Sequence, residues 1–175
     1  MRGNRPTFEG MPNTLQHALR NEDDVGRRLV WDLSAIGVYM MRIADLLGRR
    51  IGVTGSQWIT ITAIDGLSDG EGVSVRDVAA LLNVDGSFVS AQSKILEQYG
   101  LLRRVQSAGD KRLVLLSLTD LAITRLNELD SSKYTLEQHV RGELEEQPLQ
   151  ELSETLISMR RRLGRAMLLV AAGEE

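Results

Sequence analysis

Four cations flank a predicted turn in the middle of the chain. Arg103 and Arg104 precede the turn residues 107–110, and Lys111 and Arg112 follow the acidic end of that turn. Long cationic side chains on a narrow hairpin can reach phosphates and enter the minor groove of a nucleic acid, where the negative potential is concentrated. Asp110 would be repelled there, so we expect it to hold Arg112 or the turn backbone. A solvated charged surface is the simpler interpretation of each cation alone.

The segment before this hairpin is predicted to be a helix with two different sides. Val89, Ser93 and Leu96 recur at steps of four and three, and Val89 and Leu96 should face the core. The opposite stripe is small or polar and consists of Ser87, Ser90, Ala91, Lys94 and Gln98. Such side chains suit close approach to a groove, and Gln92 on the flank can pair with adenine. Ser87 and Ser90 could instead cap the helix.

A second candidate site is aromatic. Trp31, Tyr39 and Trp58 could line a pocket for a small effector, and Arg42 could neutralise an acidic one. For Trp58, packing in the core is the favoured interpretation. For Arg42, an ordinary salt bridge or surface charge is the favoured interpretation.

The composition argues against catalysis. The 175 residues include no Cys and two His, and the chain has no Gly-rich phosphate loop, no HExxH and no nucleophile elbow. The adjacent carboxylates Glu145 and Glu146 lie on a polar helix face, without the apolar setting that a general acid needs. We therefore expect no enzymatic activity, no cofactor and no metal site.

The sequence shows no segment that suits a membrane. Its longest unbroken apolar run is the seven residues 166–172, whereas a spanning helix needs roughly 20. The N-terminal residues contain no apolar stretch of the kind a secretory signal carries. A soluble, cytoplasmic protein without a membrane partner is the expectation.

The net charge of −3 conceals an uneven distribution. Between Arg76 and Arg112 there are six basic and four acidic residues, whereas from Asp120 onward there are seven basic and eleven acidic ones. The middle of the chain is therefore locally basic. A nucleic-acid partner is not excluded by the acidic total, because a net charge averages over surfaces of different sign.

The predicted elements of the middle segment follow a recognisable order. Thr54 and Gln57 form a capping-box pattern at the start of one helix, and Ser74 and Asp77 cap the next after a short β-like segment. The helix from about Ser87 and a hairpin with arms 101–106 and 112–118 follow, and Thr119 caps another helix. This is the order of a winged helix-turn-helix, in which the second helix of the pair enters the major groove.

Long apolar helices are predicted at both ends of the chain. One begins near Asp24, with the stripe Leu29, Leu33, Ile36, Met40, Ile43 and Leu47. The last begins with Pro148 at its first position, with the nearly heptad stripe Leu149, Leu152, Leu156, Met159, Leu163, Met167 and Val170. A seam of this kind requires another helix against it. We expect the two ends to build a helical dimerisation layer.

The predicted fold is therefore mainly α, a winged helix-turn-helix with N- and C-terminal helices forming a dimerisation layer. Its parts are a flexible N-terminal arm (1–22), a helical dimerisation region (23–53 and 119–175) and a winged helix-turn-helix (54–118).

Residues 54–120 resemble the MarR family of bacterial transcription regulators. The similar pieces are Thr54-x-x-Gln57-Trp58, Val73-Ser74-Val75-x-x-Val78-Ala79 and Leu96-Glu97-x-x-Gly100-Leu101-Leu102. The most specific is Asp110-Lys111-Arg112, followed by Leu116-Ser117-Leu118-Thr119-Asp120. The chain departs from the family pattern in its recognition helix. A common basic residue falls on Ala91, and usual apolar positions fall on Gln92 and Ser93.

The resemblance implies a homodimer that binds pseudo-palindromic double-stranded DNA, as a repressor or less often an activator. It also implies release of the DNA by a small effector, often an aromatic acid or a phenol. Asp110 and Arg112 would then be the wing residues that fix the tip and enter the minor groove. The alternative is a winged-helix protein–protein interaction module without DNA binding. That would explain the acidic total, and the basic wing speaks against it.

Overall fold

The computed structural model describes residues 25–107, 109–110 and 112–173. The expected N-terminal arm, residues 1–22, lies outside the described residues, as does Lys111. The helices are α1 (Val25–Arg50), α2 (Gly55–Leu67), α3 (Val75–Leu82), α4 (Gly86–Gln98), α5 (Asp120–Asn127), α6 (Asp130–Arg141) and α7 (Glu146–Ala172). The strands are β1 (Val73–Ser74), β2 (Leu102–Gln106) and β3 (Val114–Leu118). The mainly α winged-helix fold is as predicted.

Local side-chain bonds explain where the helices begin. The predicted capping box of α2 is confirmed: Thr54 Oγ1 accepts the Gln57 N–H at 3.3 Å, and Gln57 Oε1 accepts the Thr54 N–H at 2.9 Å. Ser74 Oγ accepts the Asp77 N–H at 3.1 Å, and Thr119 Oγ1 accepts the Ala122 N–H at 3.3 Å. Each bond satisfies an N–H group that the first helical turn leaves without a partner.

The turn inside the helix-turn-helix depends on one residue in the left-handed region. Asn83 ends α3 with a φ of 54°, and its N–H and that of Val84 bond back to carbonyls of α3. Asparagine tolerates this conformation better than most residues with a side chain. The tight break between α3 and α4 follows from it.

The strands form one small antiparallel sheet in the order β1-β3-β2. Val73 pairs with Leu116, and β2 pairs with β3 along its whole length, from Leu102 opposite Leu118 to Gln106 opposite Val114. The hairpin of β2 and β3 is the wing. Its inner edge is joined to the helix-turn-helix through β1, which directly precedes α3.

One apolar core holds these elements together. Its largest fully buried apolar side chains come from α2, α3, α4, the sheet and α5: Ile61, Ile64, Val78, Val89, Leu96, Leu101, Leu116 and Leu126. Trp58 also belongs to this core, with 6% of its surface exposed. The winged helix-turn-helix is therefore the folded centre of the described chain.

The end of α1 is joined closely to this centre. Asp45 Oδ1 accepts the N–H of Gly55 at 2.7 Å, and Gly48 O accepts the N–H groups of Ile51 and Val53. A Cβ built on Gly55 would lie 2.4 Å from Asp45 Oδ1, and one built on Gly48 would lie 2.8 Å from Val53 O. Both glycines are required for the backbones to approach this closely.

The outer parts of the two long helices are exposed. In α1 only Ala44, Leu47 and Gly48 are buried, and in α7 none of the described residues is. The last helix begins at Glu146, so Pro148 occupies its third position rather than the predicted first. The missing N–H of proline is harmless at either position, because the first turn has no intrahelical acceptor for it. Within the described residues, no helix has the length and apolar character needed to cross a membrane.

The close contact between α1 and α2 predicts how one added methyl group at Gly55 changes the stability of the fold. Gly55→Ala should lower the free energy of unfolding by about 1–3 kcal/mol, because Asp45 must move and its bond to the backbone is strained. Urea denaturation measures this change. The control is Gly66→Ala in the same helix, where nothing lies within 4 Å of the new Cβ. That variant should be equally stable or up to about 1 kcal/mol more stable, and equal losses in both variants would contradict the proposed close fit.

Candidate nucleic-acid interface

Helix α4 is held by a completely buried stripe. Val89, Ser93 and Leu96 are each 0% exposed. The burial of Val89 and Leu96 agrees with the prediction from their spacing, and Ser93 adds a polar residue to the inward side. A stripe buried along the length of a helix determines which residues the other side presents. The outward side of α4 therefore follows from the packing of these three residues.

The outward side carries the small and polar residues. Ser87, Ala91, Lys94 and Gln98 are exposed, and Ser90 and Gln92 are half-buried. Asp85 occupies the N-cap position of α4 and makes no side-chain capping bond. Neither Ser87 nor Ser90 is the N-cap residue, which removes the simplest competing explanation for their presence. An α-helix with such a face can approach the edges of base pairs.

The tip of the wing is organised by backbone bonds and one carboxylate. Ser107 N–H donates to Leu113 O, and Leu113 N–H donates to Asp110 O, both at 2.9 Å. Asp110 Oδ1 accepts the N–H of Arg112 at 2.9 Å and lies 4.0 Å from Arg112 Nε. The Arg112 side chain is 95% exposed. Asp110 thus holds the turn while the arginine extends into solvent, the geometry that a groove-inserting side chain needs.

The two arginines of β2 have different surroundings. Arg103 is exposed, whereas the Arg104 side chain is 14% exposed and turned toward α4. Its Nη1 donates to Ser90 O at 3.4 Å and to the hydroxyl of Ser93. The guanidinium of Arg104 thus has partners inside the protein, whereas Arg103 extends into solvent; the prediction that Arg104 contacts DNA stays a prediction. Alternation along the strand separates the two side chains, since neighbours point to opposite faces.

The predicted effector residues do not form one pocket. Trp31 and Tyr39 are 69% and 65% exposed, and Arg42 is exposed with them along α1. Trp58 lies in the core, which is the position that the sequence analysis favours for it. The remaining three stay together on one helix, and the described chain supplies no opposite wall for them.

A cavity of about 490 Å³ lies elsewhere, between α3, α4 and α7. Ala79, Asn83, Phe88 and Met167 are among its lining residues. Arg160 of α7 donates to Leu81 O at 3.2 Å beside it. The sequence carries no signal for this cavity, because nothing in the stripe of α7 indicates that the helix lies against the end of α3 and the turn that follows it.

Residues 51–113 match the family model of the MarR family. The match runs from the end of α1 through the helix-turn-helix to the wing. It covers both the outward side of α4 and the loop held by Asp110. Over these residues the winged helix-turn-helix is similar to the MarR family. No curated protein sequence matches the chain.

Solved MarR-type regulators share the fold over most of the chain. A putative MarR family regulator of Listeria monocytogenes, solved with a 26mer DNA, is 17% identical with a TM-score of 0.68, covering 83% of this chain and 95% of its own. MepR of S. aureus, solved with DNA, is 23% identical with a TM-score of 0.64, covering 76% and 96%. CouR of Rhodococcus jostii RHA1, bound to p-coumaroyl-CoA, is 19% identical with a TM-score of 0.65, covering 75% and 90%. At these identities the likeness shows the fold.

Proposed function

We propose that this protein is a homodimeric transcriptional repressor that binds pseudo-palindromic DNA and is released by a small aromatic ligand. The observation that carries the proposal is the pairing of a small, polar outward side of α4 with the exposed Arg112 at the wing tip. In a winged helix-turn-helix, the recognition helix, here α4, enters the major groove, and the wing reaches the phosphates and the minor groove. The proposed domain boundaries are 54–118 for this unit and 23–53 with 119–175 for the helices around it.

The proposed contacts divide by type. Ser87, Ser90, Ala91, Gln92 and Lys94 would face the major groove, where small side chains permit close approach and polar ones bond to base edges. Arg103, Lys111 and Arg112 would contact phosphates or the minor groove. The MepR and Listeria structures, each solved with DNA, support DNA as the partner. The proposal is binding rather than catalysis, and it places the protein in the cytoplasm with the DNA.

A second copy of the chain is the proposed partner of the long helices. Ile36 of α1 is 57% exposed, and Leu156 and Leu163 of α7 are 45% and 56% exposed. Exposed large apolar residues that recur along the face of a helix are typical of interaction surfaces. Two-fold symmetry would bury the same faces of both copies and present two α4 helices about one turn of DNA apart. A two-fold protein then matches a pseudo-palindromic site.

The proposed effector site is the aromatic face of α1. Trp31 and Tyr39 offer flat apolar surfaces, and Arg42 on the same helix offers a cation for a carboxylate or phenolate. The p-coumaroyl-CoA bound to CouR, a thioester with a phenolic ring, supports an aromatic ligand. A partner subunit in the dimer would supply the missing wall of the site.

Selection of bound fragments from a random double-stranded DNA pool tests the central proposal. The wild-type chain should enrich a pseudo-palindromic sequence. Arg112→Ala should then weaken binding to all fragments about tenfold. It should also reduce the slope of log affinity against log salt by about two, since a dimer loses two phosphate contacts. Arg141→Ala removes a charge from α6 and should change neither quantity.

Two outcomes would contradict the proposal. A chain that enriches no DNA at any salt concentration would favour the protein–protein interaction module. Enrichment with an unchanged affinity and salt slope in Arg112→Ala would remove the wing from the interface.

The proposed dimer predicts that one lysine in the seam separates the subunits. Leu156→Lys places a charge in the centre of the α7 stripe, where desolvation costs about 2 kcal/mol or more per copy. Sedimentation velocity should show a monomer for this variant and a dimer for the wild type. Glu154→Lys, on the same helix off the stripe, should remain a dimer. If Leu156→Lys remains a dimer to the same extent as Glu154→Lys, the α7 stripe is not the dimer interface.

The effector proposal predicts which tryptophan reports the ligand. Aromatic acids or phenols that release DNA should quench the emission of Trp58→Phe, which retains the exposed Trp31. They should leave Trp31→Phe, which retains the buried Trp58, nearly unchanged. Fluorescence titration with a panel of benzoates, cinnamates and phenols measures this. Quenching confined to the buried tryptophan, or release of DNA with no quenching at all, would place the ligand elsewhere.

A further inference from the structure

A polar cluster joins the wing to the inner side of the recognition helix. Arg104 of β2 donates through Nη1 to the hydroxyl of Ser93 and to Ser90 O at 3.4 Å. Its Nε lies 3.7 Å from Glu97 Oε2. Ser93 Oγ also donates to Ser90 O at 3.1 Å. One side chain of the wing thus contacts three residues along two turns of α4.

The cluster occupies positions that normally belong to the core. Arg104 is in register with Leu116, which is 0% exposed, and Ser93 lies between Val89 and Leu96 on the completely buried stripe. Buried polar groups destabilise a fold unless they find partners. Here they do, since none of the buried side-chain nitrogen and oxygen atoms in the described residues lacks a hydrogen bond. The small side chain of Ser93 leaves the room that the guanidinium fills.

The geometry of the contact restricts rotation. Apolar packing determines which side of a helix is buried, but it is non-directional and therefore sets the exact rotation of the helix less sharply than hydrogen bonds do. A planar guanidinium bonds in directions set by its rigid fork. Because Ser90, Ser93 and Glu97 lie at different heights on α4, rotating the helix would lengthen several of these contacts together.

We propose that Arg104 is a positioning residue that sets the rotation of α4 relative to the wing, and thereby the sequence specificity of the DNA contact. This inference rests on the proposed function. The residues beside the cluster, Ala91 and Lys94, are those expected to face the groove. A small rotation would move them relative to the base edges while leaving the phosphate contacts of the wing tip in place.

A positioning role of Arg104 and a direct contact of Arg104 with DNA predict different changes in binding. An arginine that binds a phosphate adds to the salt dependence of binding and little to the choice of sequence. A positioning arginine does the reverse: its loss should flatten the discrimination between sequences while the salt slope stays the same. The two quantities are measured on the same fragments.

The experiment uses the DNA fragment selected by the wild-type chain and a set of fragments with one base pair changed in the part facing α4. The dissociation constant of each is measured at several salt concentrations. The variants are Arg104→Met, which keeps the length of the side chain without its donors, and Ser93→Ala. The matched control is Arg103→Met, from the adjacent and exposed position of the same strand. Thermal unfolding establishes that each variant is folded.

Arg104→Met should reduce the preference for the selected sequence about fivefold, from a wild-type discrimination of about tenfold or more per changed base pair. Its salt slope should equal that of the wild type. Arg103→Met should retain the preference for the selected sequence and lower the salt slope. Ser93→Ala should act in the same direction as Arg104→Met, and combining the two should add little to Arg104→Met alone, because both remove the same interaction.

The inference is overturned if Arg104→Met is folded and discriminates as well as the wild type, or if its salt slope falls as a lost phosphate contact requires. If Arg104→Met does not fold, Ser93→Ala and Glu97→Gln each remove one acceptor or charge and decide the question by the same criteria. A wild-type chain that selects no DNA overturns the proposed function and this inference together. Selected DNA with unaltered discrimination in the variants overturns this inference alone.

Discussion

The burial of one stripe of α4 is the constraint on which the candidate interface depends. Val89, Ser93 and Leu96 are packed in the core formed with α2, α3 and the sheet, and they leave no choice about which residues face outward. The outward side can then be small and polar, since it contributes nothing to the core. Apolar packing carries the stability, and the exposed side is free to be selected for recognition. The acidic total of the chain does not conflict with this arrangement, because the local surface decides the partner.

The sequence predicts the elements where local rules decide them. Thr54, Ser74 and Thr119 are capping residues whose bonds lie within a few positions along the chain, so their pattern is visible without a structure. The buried stripe of α4 follows from its period. The difference between Arg103 and Arg104 is less accessible. It follows from strand alternation, but only once the register and the inward face of β2 are known.

Other features depend on contacts between distant parts of the chain. The stripe of α7 predicts that the helix is covered, and it does not say by what. Its contact with the α3–α4 turn, through Arg160 and Leu81, joins residues about eighty positions apart. The same limit applies to Trp31, Tyr39 and Trp58, of which Trp58 lies in the core and the other two are exposed on α1. A stripe of aromatic residues gives the face of a helix, whereas the core that takes Trp58 is set by the tertiary packing.

The joint between α1 and α2 gives the proposed dimer a means of setting the spacing of its two recognition helices. Asp45 accepts the first N–H of α2, and the close approaches at Gly48 and Gly55 leave no room for a side chain at either position. Arg125 of α5 donates to Ile51 O at 2.9 Å. These contacts join the end of α1 closely to the winged helix-turn-helix. Any change in how two copies of α1 pack would be carried to α4 with little loss, because a close-packed joint transmits displacement instead of absorbing it. A ligand at the exposed aromatic face of α1 would change how the two copies of α1 pack, and the joint between α1 and α2 would pass that change to α4.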